Sequence, residues 1–359
     1  MTTTEGTMTT TEEPLKAAPS EFETQVLFPE AHQRRHRRWA IGIALLGVVA
    51  TVVALLASSS PKTTHPSARH VGLARWTPLR GTRKAAPAVF VAGDGKGGVG
   101  VYSTNSGHLI RTLSPQSPGG PDQQIVLTSD GSTVYFAQPS GACSGQILSA
   151  PISGTTAPAV VISDPGRLAL APSPSPSSDD LAWVGVICGS TGSTTSSSLY
   201  ETDLTTHATS DLGAYSGQDE LAWSPNGQRL AVQSNSTVQV FDVTRQSSET
   251  GSSMKVSSGC RLVSPVFLTQ DQIAAIRTCF SSSGSLRTSN ALVFNVVTGK
   301  AVALIAAAPP GSTFQGLSVD SSGQHILLGL VNSGSAEDVQ VQDGLLLVVS
   351  RDAPTDAQW

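Results

Sequence analysis

The run Lys96-Gly97-Gly98-Val99-Gly100 has the glycine density of a phosphate-binding loop. Such a loop works when a Lys and a Ser or Thr follow, to neutralise phosphate charge and hold Mg²⁺. Val101 and Tyr102 stand there instead, between two short apolar segments, so the run reads as a hairpin loop. Gly141-Ala142-Cys143-Ser144-Gly145 has the outline of a nucleophile turn, but no strand-to-helix pattern surrounds it. The four cysteines, Cys143, Cys188, Cys260 and Cys279, contain no Cys-x-x-Cys pair, which argues against a zinc ribbon or a redox dithiol. An even number of cysteines in an exported domain is expected to form disulfides. Of the seven histidines, His32 and His36 precede an apolar run, and His65 and His70 follow it. His108, His207 and His325 lack the i,i+2 or i,i+4 spacing of metal ligands. The sequence therefore predicts no metal and no cofactor.

The elements that would position any site are read from composition. Charged residues make up 13% of the 359 and hydrophobic residues 39%, with abundant Ser, Thr and Gly, which favours an all-β domain of short strands. Residues 1–38, rich in Thr, Glu and Pro, are expected to be a disordered cytoplasmic tail. Arg34, Arg35, Arg37 and Arg38 then abut Trp39–Ala57, 19 residues without a charge. As a helix these span about 28 Å, close to the thickness of a bilayer core. The arginine cluster predicts a single-pass, signal-anchor topology with the N-terminus in the cytoplasm. A cleaved signal peptide is the rival reading. Residues 58–87, with Pro61, Pro66, Pro78 and Pro87 and six basic residues, read as a tether. Residues 88–359 carry 11 Lys and Arg against 20 Asp and Glu, a balance without the electrostatic footprint of a nucleic-acid binder.

Within 88–359 the chain repeats. Gly131, Gly227 and Gly323 close polar turns 96 residues apart, which predicts units of 48, and Ser178-Asp179-Asp180 and Gln270-Asp271-Gln272 mark the intermediate turns. A strongly apolar strand leaves each turn, such as Leu230-Ala231-Val232 or Ile326–Val331, followed by an alternating strand such as Val238-Gln239-Val240-Phe241. Strands apolar on both faces need cover on both sides. Four short strands per unit of 40–50 residues is the pattern of a propeller blade.

The segment Leu221-Ala-Trp-Ser-Pro-Asn-Gly-Gln-Arg-Leu-Ala-Val232 resembles the TolB-like and WD40-like propeller repeats, with degenerate copies over most of 88–350. The resemblance implies a six-bladed β-propeller, with seven blades as the alternative. The last unit is expected to lack its outer strand, which residues 71–79 would donate. Blade geometry then pairs Cys260 with Cys279, inside one unit, and Cys143 with Cys188, across a blade boundary. Trp183 and Trp223 are expected in the core.

A ligand site is expected at the mouth of the central channel. The starts of the innermost strands would ring it with Asp122, Arg167, Glu220, Arg261 and Gln315. The function expected is that of a non-catalytic, membrane-anchored extracytoplasmic scaffold or sensor binding a protein or an envelope polymer. The alternative is an extracytoplasmic hydrolase or lyase using Glu220 and Asp122, for which channel carboxylates with raised pKa would speak. No Gly-x-Ser-x-Gly run occurs and no hydrolase domain is expected after the repeats, so the oligopeptidase arrangement is not expected.

Overall fold

The computed structural model describes residues 73–78, 84–93, 98–115, 124–141, 144–164, 167–188, 194–215, 220–234, 236–245, 247–248, 253–332, 335–342, 345–350 and 357–358. All fall in one compact unit, Ala68–Trp359.

A short strand β1 (Ala74–Arg75) precedes the repeats. The first sheet holds β2 (Val89–Gly93), β3 (Val99–Ser103) and β4 (Leu109–Ser114). The second holds β5 (Ile125–Leu127), β6 (Thr133–Gly141), β7 (Ser144–Pro151) and β8 (Ala159–Asp164). The third holds β9 (Arg167–Pro174), β10 (Asp180–Cys188), β11 (Thr194–Asp203) and β12 (Thr209–Tyr215). The fourth holds β13 (Leu221–Trp223), β14 (Arg229–Ser234), β15 (Thr237–Asp242) and β16 (Ser247–Ser248). The fifth holds β17 (Cys260–Thr269), β18 (Gln272–Phe280), β19 (Leu286–Asn295) and β20 (Ala301–Ala307), with β1 at its outer edge. The sixth holds β21 (Ser312–Val319), β22 (Ile326–Asn332), β23 (Ser335–Gln342) and β24 (Leu345–Ser350). Apart from the parallel β1–β20 pair, every strand pairs antiparallel with its sequence neighbour.

The expectation of six blades, with room for a seventh, is met in part. The fold is an all-β propeller, and five sheets have four or more strands. The first has three, and no seventh sheet occurs among the described residues. Two corrections follow. The last unit has its own outer strand, β24, because the polar stretch β23, Ser-Ala-Glu-Asp-Val-Gln-Val-Gln, is its third strand. Residues 74–75 instead extend the fifth sheet, where Ala74 lies against Ala303 and the Trp76 N–H bonds the Leu304 carbonyl at 2.8 Å. The ring closes elsewhere: Val91 and Gln358 exchange backbone hydrogen bonds of 2.8 and 2.7 Å along the free edge of β2.

The apolar second strands are sandwiched between sheets, as their composition requires. One buried cluster lies at each seam. Val91, Val134 and Phe136 join sheets one and two, and Ile147, Ala169 and Trp183 join two and three. Val184 and Leu230 join three and four, while Ala231 and Ile273 join four and five. Ile276, Phe314 and Leu328 join five and six, and Phe90, Leu327 and Ala357 return from six to one. Each large apolar side chain buried here contributes roughly 1.5–3 kcal/mol.

The turns explain their residues. Gly131, Gly227 and Gly323 all sit at φ 68°, and in the third sheet Ser178 takes the same left-handed conformation at 62°. The fifth sheet needs no such residue, since Thr269 pairs with Gln272 across a two-residue connection that stays out of the left-handed region.

No helix among the described residues is long and apolar enough to cross a membrane. The expected tail 1–38 and helix 39–57, and most of the tether 58–87, lie outside the described residues.

Candidate functional site

The inner strands of sheets two, three, four and six lead into their turns in the same way. The N–H groups of Thr128, Ser175, Ser224 and Asp320 each bond the carbonyl five residues on. Four residues before these anchors stand Gln124, Ala171, Glu220 and Gly316. In the fifth sheet the corresponding place is the irregularity between Val263 and Val266, at Ser264. Ala171, Ser264 and Gly316 adopt positive φ (49°, 53° and 70°), and the strand register slips at each. These are β-bulges.

A bulge turns the residue's N–H out of its ladder, and a buried N–H needs an acceptor. Neighbouring sheets supply two. The Ala171 N–H donates to Gln124 Oε1, and the Ser264 N–H donates to Gln233 Oε1 at 3.1 Å. The Ser264 hydroxyl donates to Glu220 Oε1, also at 3.1 Å. Side chains from sheets two and four thereby lock the bulges of sheets three and five.

Inside this belt lies a cavity of about 770 Å³, lined by residues of all six sheets and by Gln358. That volume falls in the range of small-molecule sites. Its wall includes Pro87, Pro172, Pro174, Pro176, Pro225 and Pro265. Proline is at home on an inner strand because the channel-side edge has no partner to receive an N–H. Trp223 also lines the cavity, its indole N–H held by the Ser173 carbonyl at 2.8 Å. That half-buried place corrects the expectation of Trp223 in the core, whereas Trp183 meets it: Trp183 is buried, stacks on Tyr200 at 4.7 Å and donates to Thr202 Oγ1.

The acidic residues of the wall are Asp130, Glu220 and Asp320. Asp130 caps its turn, and hydrogen bonds from the Thr128 hydroxyl and from Ser132 hold its carboxyl below the ordinary value. Burial pushes Asp320 up. Hydrogen bonds from His325 and Ser322 outweigh that, and its carboxyl ends below the ordinary value. His325 Nδ1 sits 2.9 Å from Asp320 Oδ2. The carboxylates raised instead are Asp180, by burial and by Asp203 and Asp179, and Glu201, by burial and by Asp180. Neither lines the cavity.

Of the expected ring, Glu220 reaches the cavity and Asp122 lies outside the described residues. Arg167, Arg261 and Gln315 do not line it. The reason is strand length. β9 and β17 run for 8 and 10 residues, so Arg167 and Arg261 near their starts overshoot the belt, whereas β13 has three residues and starts beside it; Gln315 adjoins the bulge at Gly316 but is not on the cavity wall. Arg167 instead pairs with Asp164 at 3.1 Å and lies over Tyr200, and Arg261 lies over Phe280. Sequence reasoning missed Gln124. The signal was present: Gln124 precedes Thr128 as Glu220 precedes Ser224, a polar residue, three apolar ones and a hydroxyl.

Cys188, Cys260 and Cys279 do not line the cavity. Cys260 and Cys279, directly opposite on β17 and β18, form the expected disulfide. Cys188 is also disulfide-bonded, and its expected partner Cys143 lies outside the described residues. Of the glycine run at 96–100, Val99 and Gly100 begin β3, paired antiparallel with Gly93 and Ala92 of β2, and residues 96 and 97 lie outside the described residues.

No family model matches the chain, and no curated protein matches it. Among solved structures it is similar to TolB from Acinetobacter baumannii, at 16% identity and a TM-score of 0.57, over 76% of this chain and 65% of that one. It thus spans just under two thirds of TolB. The nidogen/laminin complex matches at 14% identity and a TM-score of 0.45, over 63% of this chain and 81% of that one. The propeller domain of the Pyrococcus furiosus trilobed protease matches at 13% and 0.42, over 63% and 71%. At these identities the likeness to TolB concerns the fold alone.

Proposed function

We propose that the chain is a non-catalytic binding protein, a membrane-anchored extracytoplasmic propeller of six blades that receives its ligand in the central cavity. The three-stranded first sheet counts as the sixth blade, with Gln358 standing where its inner strand would be. The observation that carries the reading is the cavity itself. Its wall is built by every sheet, and two of its three described carboxylates are occupied in capping turns. Groups held ionised by such bonds are poor proton donors at neutral pH, so they speak for a shaped receptacle over a catalytic acid. The anchor at 39–57, the cytoplasmic tail and the Cys143–Cys188 bridge belong to the same reading. They rest on the apolar run, its arginine flank and the even cysteine count.

A photo-crosslinking residue placed at Trp223, in the full chain in its native membrane, tests this. The expected result is an adduct with one envelope component from Trp223 and none from Val297, an exposed position outside the cavity. Equal labelling from both positions would remove the cavity as the binding site. Turnover of any envelope substrate that disappears in Glu220→Gln would favour the hydrolase or lyase reading.

A further inference from the structure

We infer that the outer edge of the fifth sheet is a lipid-facing surface, laid against a bilayer that carries anionic headgroups. This rests on the membrane anchoring proposed above and adds which part of the propeller meets the lipid. Six large apolar side chains are exposed among the described residues: Leu73, Leu109, Ile110, Val160, Val297 and Val302. Three of them stand together. β1 runs parallel to β20 with Ala74 opposite Ala303, so Leu73, one residue earlier, falls beside Val302. Val297 lies in the turn that leads into β20, closed by the Asn295 N–H on the Lys300 carbonyl at 3.0 Å. The fourth sheet, next in the ring, ends in a β16 of two residues against seven in β20, which leaves this edge with little strand cover.

Three cations stand among these apolar groups. Arg75 follows Leu73 on the same side of β1, and Lys300 closes the turn that holds Val297. Lys255 follows Met254, whose backbone lies against Gly299 of that turn. All three are exposed, and none makes an ion pair among the described residues. Asp271 also reaches the turn, its carbonyl accepting the Val296 N–H, but its carboxylate is paired with Arg229 at 3.7 Å. The exposed pair Leu109 and Ile110 on β4 differs, since the Arg111 beside it is held by the carbonyls of Pro151 and Ile152, both at 2.6 Å.

A lipid surface receives both kinds of group. Apolar side chains enter the boundary between headgroups and acyl chains, while Lys and Arg reach anionic headgroups, each adding about fivefold to the affinity. The chain before β1 agrees with this in charge and in length. Residues 58–72 join the apolar run at 39–57 to Leu73, and their charged members are Lys62 and Arg69, with no acid. These fifteen residues span about 50 Å when fully extended, so an anchor at 39–57 keeps Leu73 within that reach of the bilayer.

The test reconstitutes the full chain into vesicles of phosphatidylcholine, with or without about one third phosphatidylglycerol. An environment-sensitive fluorescent amino acid stands at Val297 in one preparation and at Ile110 in the other, and headgroup spin-labelled lipid reads contact by quenching. Quenching at Val297 is expected to exceed that at Ile110 about threefold in the anionic vesicles, and the excess should shrink in neutral vesicles and at high salt. The triple variant Arg75→Gln, Lys255→Gln and Lys300→Gln should lose most of the excess with its thermal unfolding unchanged. Lys300→Gln alone, with a smaller loss, decides the matter if the triple variant does not fold. A crosslinker at Val297 should for the same reason take lipid, and not the component captured at Trp223. Equal quenching at Val297 and Ile110, or quenching at Val297 indifferent to phosphatidylglycerol and to the substitutions, would overturn the inference and leave the anchor standing. A fluorescence shift at Val297 on adding polyglutamate, without lipid quenching, would overturn it in favour of an acidic protein partner. Failure of the chain to float with the vesicles would overturn the anchor and the inference together.

Discussion

The seam between the fifth and sixth sheets and the seam that returns from the sixth to the first do one job with different means. The first is a broad apolar contact in which Ile276, Val293, Phe314 and Leu328 are all but fully buried. It is reinforced by the buried Ser289 hydroxyl, which accepts the Phe314 N–H at 3.0 Å and lies 3.2 Å from the Thr278 hydroxyl. The closing seam has a smaller cluster, Phe90, Ala92, Tyr102, Leu327 and Ala357, and the backbone pair Val91–Gln358. Consecutive blades are joined by burial, which follows from their sequence pattern. The two ends of the chain are joined by main-chain pairing, where a short segment can add stability that its side chains do not supply.

Four perturbations break or sharpen this contrast. Phe314→Ala should be the most damaging, costing about 3–5 kcal/mol for a buried aromatic in a packed seam. Chemical denaturation measures it, and a loss below 1 kcal/mol would mean the seam is not held by burial. Ending the chain at residue 356 should cost about 2 kcal/mol, mostly the two backbone bonds to Val91. Hydrogen exchange reads the difference: the Val91 amide should exchange faster while the Phe314 amide stays protected. Ser289→Ala should cost about 1–2 kcal/mol by leaving the buried Phe314 N–H without its acceptor. Its mark would be faster exchange at Phe314 with Val91 unaffected.

The smallest effect concerns pH. The Asp320 carboxyl is held below its ordinary value of 3.8 in the folded chain. A depressed acid contributes stability that is whole above its unfolded pKa and is lost as pH falls through the folded one. Stability should therefore decline below pH 3.8 through this group, and Asp320→Asn should flatten that part of the profile. A profile of the same slope in the variant would show that Asp320 does not couple the sixth sheet to pH.

The propeller was legible because its turns obey steric rules that leave a trace in single residues. Gly131, Gly227 and Gly323 share one left-handed conformation, and their spacing gave the repeat. The Cys260–Cys279 bridge was legible for a related reason, since the blade pattern places both residues at one end of adjacent strands. What escaped lacked such a trace. β23 opens on Ser-Ala-Glu-Asp and carries only two Val among its eight residues, and its polarity resembles a loop. The closing pair at Gln358 is too short for any period to show. The overshoot of Arg167 and Arg261 depended on inner strands of unequal length, and the bulges that shift register at Ala171, Ser264 and Gly316 occur at residues with no common chemistry. Of the expected ring, Glu220, beside the three-residue β13, lies on the cavity wall, while Arg167, Arg261 and Gln315 do not.

The prolines of the inner strands carry one more consequence. An extended peptide can bind a sheet by adding itself as a strand, and the inner edges of a propeller are open rails for such addition. Pro172 and Pro174 on β9 and Pro265 on β17 have no N–H to offer, so those rails are missing their donors. Whatever enters the channel past the third and fifth blades meets edges that at these prolines accept but do not donate, so a continuous backbone ladder is broken there and recognition falls chiefly to side groups.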